Sequence, residues 1–218
     1  MVVQGQETTL PVTVDDVLYH TRIVKRGIKR ALLVADMPFL SYQVTPEVAL
    51  RNAGRLMKEG GADAVKLEGG AYLAETIRRL VEAGIPVMGH VGMQPMRVHQ
   101  YGGYKLQGQR ESQAEMITED ADSVQEAGAF AVVLEKISSK LAAKLTSKLK
   151  IPTIGIASGA DCDGQILVSY DMLGLADQYN FKFVRKYLSL ADDIRGAVKA
   201  YSDDIRKGKF PAKEESFD

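Results

Sequence analysis

Short apolar runs separated by stretches of helical periodicity constrain this chain more than any other feature. The runs lie at 31–36, 64–68, 86–91, 130–135 and 152–156, with a sixth at 165–168. They are nearly continuous rather than alternating, which suits parallel strands covered on both faces. Between them, Thr45-Pro46-Glu47 opens a predicted helix with Thr at the N-cap and Pro in the first turn, and Gly60-Gly61 stops it. Leu73, Ala74, Ile77, Leu80 and Val81 form a second stripe that ends at Gly84. Further helices are predicted over 111–127 and 139–149, and a charged helical region runs from Phe183 to about Arg206. The turn Gly61-Ala62-Asp63-Ala64-Val65 recurs as Gly128-Ala129-Phe130-Ala131-Val132, a repeated way of leaving a helix for a strand. The pattern predicts one βαβα domain over 1–218 with a parallel sheet. At 218 residues the chain is slightly short for a (β/α)8 barrel, which takes about 250. Residues 92–110 form a long Gly- and Gln-containing loop after the third strand, a length usually tied to function or mobility.

Composition narrows the partners. Lys plus Arg and Asp plus Glu are 28 each, so no net field draws the chain to nucleic acid or anionic lipid. No apolar run approaches the ~20 residues that span a bilayer, and the first residues carry neither a basic nor an apolar leader segment. Cys162 is the only cysteine, so no internal disulfide forms, and with no basic neighbour it reads as inert. A cytoplasmic protein is expected.

In α/β folds, ligands sit at the C-terminal ends of parallel strands. The residues there are Asp36, Lys66, Glu68, His90 and Glu135. Asp36 and Glu68 offer hard oxygen ligands with no neighbouring Cys or paired His, a set that favours Mg²⁺ over Zn²⁺. A metal with open positions can chelate an α-keto acid and stabilise the enolate formed when a proton leaves. Lys66, two residues before Glu68, shares its strand face and can neutralise a substrate oxyanion. Glu135 ends a strongly apolar strand, a setting that suits a general base. Any one of these acids alone reads better as a helix cap or loop residue, and His90 alone is as well explained by a structural hydrogen bond. Three acids in equivalent positions beside Lys66 shift the reading towards a site. Gly69-Gly70, Gly102-Gly103 and the Gly155–Gly159 stretch read first as tight turns, with backbone approach to a ligand as the alternative.

Several stretches also resemble the ketopantoate hydroxymethyltransferase family, in that family's order. They include Thr9-Leu10-Pro11-Val12-Thr13, Ala35-Asp36-Met37-Pro38-Phe39, Val65-Lys66-Leu67-Glu68-Gly69-Gly70 and Gly89-His90-Val91-Gly92. Gly102-Gly103-Tyr104-Lys105-Leu106-Gln107-Gly108, Val133-Leu134-Glu135, Ile151-Pro152-Thr153-Ile154-Gly155-Ile156 and Asp163-Gly164-Gln165 follow. The resemblance covers nearly the whole chain. It implies a (β/α)8 TIM-barrel fold and a large homo-oligomer, often a decamer. It implies Mg²⁺ and transfer of a hydroxymethyl group from 5,10-methylenetetrahydrofolate, or another pterin donor, to 3-methyl-2-oxobutanoate. By the same resemblance, Asp36 is a metal and substrate ligand, Lys66 binds substrate, Glu68 binds metal, Glu135 is the proton acceptor and His90 lies in the active site.

The sequence departs from that family at defined places. The family's Gly-Asp-Ser motif precedes the stretch that here begins at Met1, so the expectation is a barrel lacking its first β–α–β segment. Lys136-Ile137-Ser138 replaces the usual Cys-x-Pro, and Ala157-Ser158-Gly159 replaces Gly-Ala-Gly. The C-terminal Glu-His-Ser-Phe-His is Glu214-Glu215-Ser216-Phe217-Asp218. Two other readings stand at this point: a non-catalytic relic acting only in assembly, and an Mg²⁺-dependent keto-acid lyase of the phosphoenolpyruvate-mutase type. The Gly-Gly-Tyr-Lys-Leu-Gln-Gly stretch argues against the lyase.

Overall fold

Six strands pair in chain order, every pair parallel. They are β1 (Val34–Asp36), β2 (Ala64–Glu68), β3 (Val87–Gly92), β4 (Ala131–Glu135), β5 (Thr153–Ile156) and β6 (Gly164–Gln165). The computed structural model describes residues 1–177 and 181–217. Its contacts divide into two compact units, Val3–Ile166, which holds the whole sheet, and a second from Leu167 onward. The first unit is an α/β half-barrel. Among the described residues, no helix is long and apolar enough to cross a membrane.

Each crossover between the first five strands carries a helix: α2 (Pro46–Lys58), α3 (Ala74–Glu82), then α4 (Val98–Tyr101) with α5 (Glu111–Glu126), and α6 (Ser139–Lys148). Ahead of the sheet, α1 (Val14–Gly27) starts at a reciprocal capping box. Thr13 N–H donates to Asp16 Oδ2 at 2.9 Å, and Thr13 Oγ1 accepts from Asp16 N–H at 3.2 Å. That helix was not expected, although its Thr-x-x-Asp signal stands in the sequence. As predicted, Thr45 caps α2, accepting from Val48 N–H at 3.3 Å. Gly61 and Gly128, which open the repeated turn, have φ of +73° and +98°, values that favour glycine.

Strand parity then sorts the side chains. Val65, Leu67, Val87, Val91, Val132 and Leu134 enter the core beneath the helices, meeting Leu56, Ile77, Leu80, Val124 and Leu145. Burying such a side chain contributes roughly 1.5–3 kcal/mol before chain entropy is subtracted. Gly89 lies on this face, and a Cβ there would stand 2.2 Å from Val124 Cγ1. Gly89→Ala is therefore expected to destabilise by about 1–3 kcal/mol through overpacking, and Val124→Ala in the same chain to return most of it. Urea denaturation of the single and double variants reads the coupling.

The elements differ from expectation mainly at their ends. The first strand is confined to its last three residues, and the sixth is the short pair Gly164–Gln165 rather than 165–168. The long loop 92–110 carries a 3-10 turn (Pro95–Arg97) and α4. In the second unit, α7 (Ser169–Met172) precedes α8 (Leu190–Arg206), which starts later than the predicted region at Phe183. The cause is local. Tyr187, Leu190 and Ala191 donate their N–H groups to the carbonyls of Met172, Leu173 and Gly174, which diverts the chain ahead of α8.

Candidate functional site

The face of the sheet opposite the helices carries Asp36, Lys66, Glu68, His90 and Glu135. Register places Asp36 beside Lys66, Glu68 beside His90, and Glu135 beside Gly92. All five strand-end residues singled out in the sequence are thereby brought into one chain of contacts.

Lys66 stands at its centre. Its ammonium is 2.8 Å from Asp36 Oδ1, 3.1 Å from His90 Nδ1 and 3.9 Å from Glu68 Oε1. On the far side of the imidazole, His90 Nε2 is 3.2 Å from Glu135 Oε2 and 3.1 Å from the Met93 carbonyl. An ammonium has only donors, so His90 Nδ1 must accept from it. The ring proton therefore sits on Nε2, where it donates towards Glu135 and Met93. Donor chemistry thus assigns the tautomer.

Burial grades the site. Glu68 is 4% and His90 3% exposed, whereas the Asp36 side chain is 52% exposed. Burial works against the charged Lys66 ammonium, yet Asp36 and Glu68 outweigh it and hold the lysine above its ordinary pKa. For Glu68, burial pushes the carboxyl above the usual range, with the Lys66 charge and the Met96 N–H pulling the other way. That N–H donates to Glu68 Oε2 at 3.0 Å. Two carboxylates therefore converge on a single cation. Among the described residues no group of three His, Cys, Asp or Glu converges on a metal position.

Supporting residues went unnoticed in the sequence. Tyr42, fully buried, accepts from Glu68 N–H at 3.0 Å and donates to the Glu68 carbonyl at 3.1 Å, pinning the end of β2. Burial, helped by the Glu68 charge, keeps that phenol protonated far above its ordinary range. Tyr72 donates to the same carbonyl at 3.2 Å, and the Arg97 guanidinium lies 4.4 Å over the Tyr72 ring. Gln94 Oε1 is buried without a hydrogen-bond partner among the described residues. Periodicity gave no sign of any of these, because they lie in turns and irregular segments.

Gly102 and Gly103 turn the chain at positive φ of 63° and 114°, whereas Gly70 serves close packing. A Cβ on Gly70 would stand 1.9 Å from Asp120 Oδ1, the atom that accepts Ala71 N–H at 2.9 Å. At the β5 end, Ser158 Oγ donates to the Leu134 carbonyl at 2.7 Å and accepts from Ile137 N–H at 3.3 Å, tying β4 to β5. Lys136 and Ala157, two of the departures noted above, adopt positive φ of 49° and 55°. Such values are uncommon for residues with a Cβ and cluster at functional sites.

A parallel α/β half-barrel with its ionisable side chains gathered at the strand ends has the layout of the TIM-barrel-like enzymes. Phosphonopyruvate hydrolase shares this fold: 96% of this chain superimposes on 73% of that one with a TM-score of 0.51 at 11% identity. Sequence is more specific. The family model described as ketopantoate hydroxymethyltransferase matches residues 1–213. The 3-methyl-2-oxobutanoate hydroxymethyltransferase of Syntrophus aciditrophicus (strain SB) is 54% identical over 217 residues, covering 100% of this chain and 80% of that protein. The same-named protein of Geobacter sulfurreducens is 55% identical over 217 residues, covering 100% of this chain and 81% of that protein. The chain belongs to the ketopantoate hydroxymethyltransferase family.

Proposed function

We propose that this chain transfers the one-carbon unit of 5,10-methylenetetrahydrofolate as a hydroxymethyl group to 3-methyl-2-oxobutanoate, with water supplying the hydroxyl, giving 2-dehydropantoate and tetrahydrofolate. The observation that carries the reading is the contact chain from Asp36 through Lys66 and His90 to Glu135. It places a cation beside a candidate base without joining them directly. Glu135 takes the C3 proton of the keto acid. The His90 Nε2–H holds the Glu135 carboxylate in position, and the Lys66 ammonium, by donating to Nδ1, fixes the tautomer that makes this possible. Lys66 also meets the negative charge of the substrate, with Asp36 beside it.

The donor set fits Mg²⁺. Asp36 and Glu68 are oxygen ligands already converging on one positive charge, and Mg²⁺ commonly takes one or two carboxylates with the rest from water and substrate. Held there, Mg²⁺ supplies Lewis-acid stabilisation of negative charge on the keto oxygen.

The finer structural readings are supported as follows. A (β/α)8 barrel of which these six strands are part is favoured by their unbroken parallel order. One barrel-type domain over 1–218 is favoured by a family match that runs across both compact units. A homo-oligomer is favoured by Ile194, Val198 and Tyr201, which form an apolar stripe on α8, each more than half exposed. A cytoplasmic setting is part of this reading, and the balanced charge favours a chain without nucleic-acid or membrane partners.

The direct test is formation of 2-dehydropantoate by purified protein supplied with both substrates and Mg²⁺. Product is expected, and it is expected to vanish when either the donor or Mg²⁺ is withheld. A folded protein that forms none under full conditions overturns the reading.

A further inference from the structure

The Gly-Gly-Tyr-Lys-Leu-Gln-Gly stretch has no part in the chemistry above, yet it is built firmly onto the rim of the site. Tyr101 Oη donates to the Gly92 carbonyl at the end of β3 at 3.5 Å. Gln107 N–H donates to the Lys136 carbonyl at 2.9 Å, one residue beyond Glu135. The Lys136 ammonium reaches back to the Tyr104 carbonyl. Within the stretch, Gln107 Nε2 donates to the Lys105 carbonyl at 2.9 Å, and Gln107 Oε1 accepts from Gln113 Nε2 at 2.8 Å. Gly108 N–H donates to Gln113 Oε1 at 3.0 Å.

These bonds shape one wall of a cleft of about 440 Å³ between the stretch and the start of α5. Tyr101, Lys105, Gln107, Arg110, Gln113 and Met116 line it, and no acidic side chain does. Neither Lys105 nor Arg110 forms an ion pair with a described residue. Two unpaired cations therefore stand over a surface with an aromatic ring, a thioether and several amides. That combination suits a flat apolar group ending in carboxylates.

We propose that this cleft holds the p-aminobenzoylglutamate tail of the one-carbon donor, with Lys105 and Arg110 on its carboxylates. The proposal rests on the transferase reading for the identity of the donor. Its position agrees with that role. The stretch that walls the cleft is tied through Gln107 N–H to the carbonyl of Lys136, the residue after Glu135, which anchors the cleft at the strand end that carries this candidate base.

The test compares tetrahydrofolate with tetrahydropteroate, which lacks the glutamate, by equilibrium dialysis against the full chain. The parent is expected to bind tetrahydrofolate about tenfold tighter, the effect of two charge-assisted contacts at an exposed site. In the Lys105→Met, Arg110→Met double variant, that preference is expected to fall below about twofold. Both residues are exposed, and circular dichroism checks the fold. Should the double variant fail to fold, each single Gln variant is expected to lose about threefold of the preference. Equal binding of the two compounds by the parent, no binding of either, or a preference that survives the substitutions overturns the proposal. Failure of the transferase reading is a separate result, absence of 2-dehydropantoate with either donor, because the binding comparison needs no turnover.

Discussion

Glu135→Gln is expected to lower turnover by about 10²–10⁴-fold, the range spanned by loss of a positioned general base. The substitution is nearly isosteric. The Gln side chain keeps an oxygen that can accept the His90 Nε2–H now 3.2 Å from Glu135 Oε2, so the contact chain through Lys66 survives. What disappears is the capacity to take a proton. Exchange of the C3 hydrogen of 3-methyl-2-oxobutanoate in deuterated buffer isolates that step, because it needs no one-carbon donor. The parent chain is expected to catalyse the exchange with Mg²⁺ present, and the variant to lose it in parallel with turnover. Exchange at the parental rate would move the base elsewhere and leave Glu135 with a later role. His90→Leu separates positioning from proton transfer. It retains the carboxylate but removes the donor that orients it, so a smaller loss than for Glu135→Gln is expected.

Why the acids could be found in the sequence and their connection could not is a matter of range. Asp36, Glu68 and Glu135 each close an apolar run, and the two-residue spacing puts Lys66 on the face of Glu68 by strand parity alone. Those are local signals. The link from Lys66 through His90 to Glu135 depends on two separate registers, Glu68 beside His90 and Gly92 beside Glu135. Register is set by how whole strands pack against helices, including the close fit of Gly89 under Val124. Tyr42 went unnoticed for a related reason. It lies in the turn after β1, outside any periodic segment, and its importance comes from a backbone unit 26 residues away. The positive φ angles of Lys136 and Ala157 were equally hidden, since neither residue type announces them. By contrast, the capping box of α1 is a local signal, carried by Thr13 and Asp16 three residues apart.

Lys66→Met is the variant expected to disturb stability most. The lysine side chain is only 16% exposed, and its ammonium is the cation nearest to both Asp36 and Glu68. Asp36 is half exposed and can turn to water. Glu68 cannot, and without Lys66 its carboxylate would keep the Met96 N–H in a buried setting. Removing one partner of a buried pair costs about 3–5 kcal/mol because the remaining charge is left uncompensated. The partial opening towards Asp36 places the expected loss near the lower end, about 3 kcal/mol. Adding Glu68→Gln removes the stranded charge, so the double variant is expected to be more stable than Lys66→Met alone. Denaturant melts of the two single variants and the double variant close that cycle. The same reasoning yields a readout for the metal that does not depend on activity. If Asp36 and Glu68 are its ligands, Mg²⁺ can supply the charge that Lys66 no longer does. Millimolar Mg²⁺ should then raise the melting temperature of Lys66→Met more than that of the parent, through preferential binding to the folded state. Equal shifts in the two proteins would mean that the carboxylates around Lys66 do not form the metal site, whatever the assay shows.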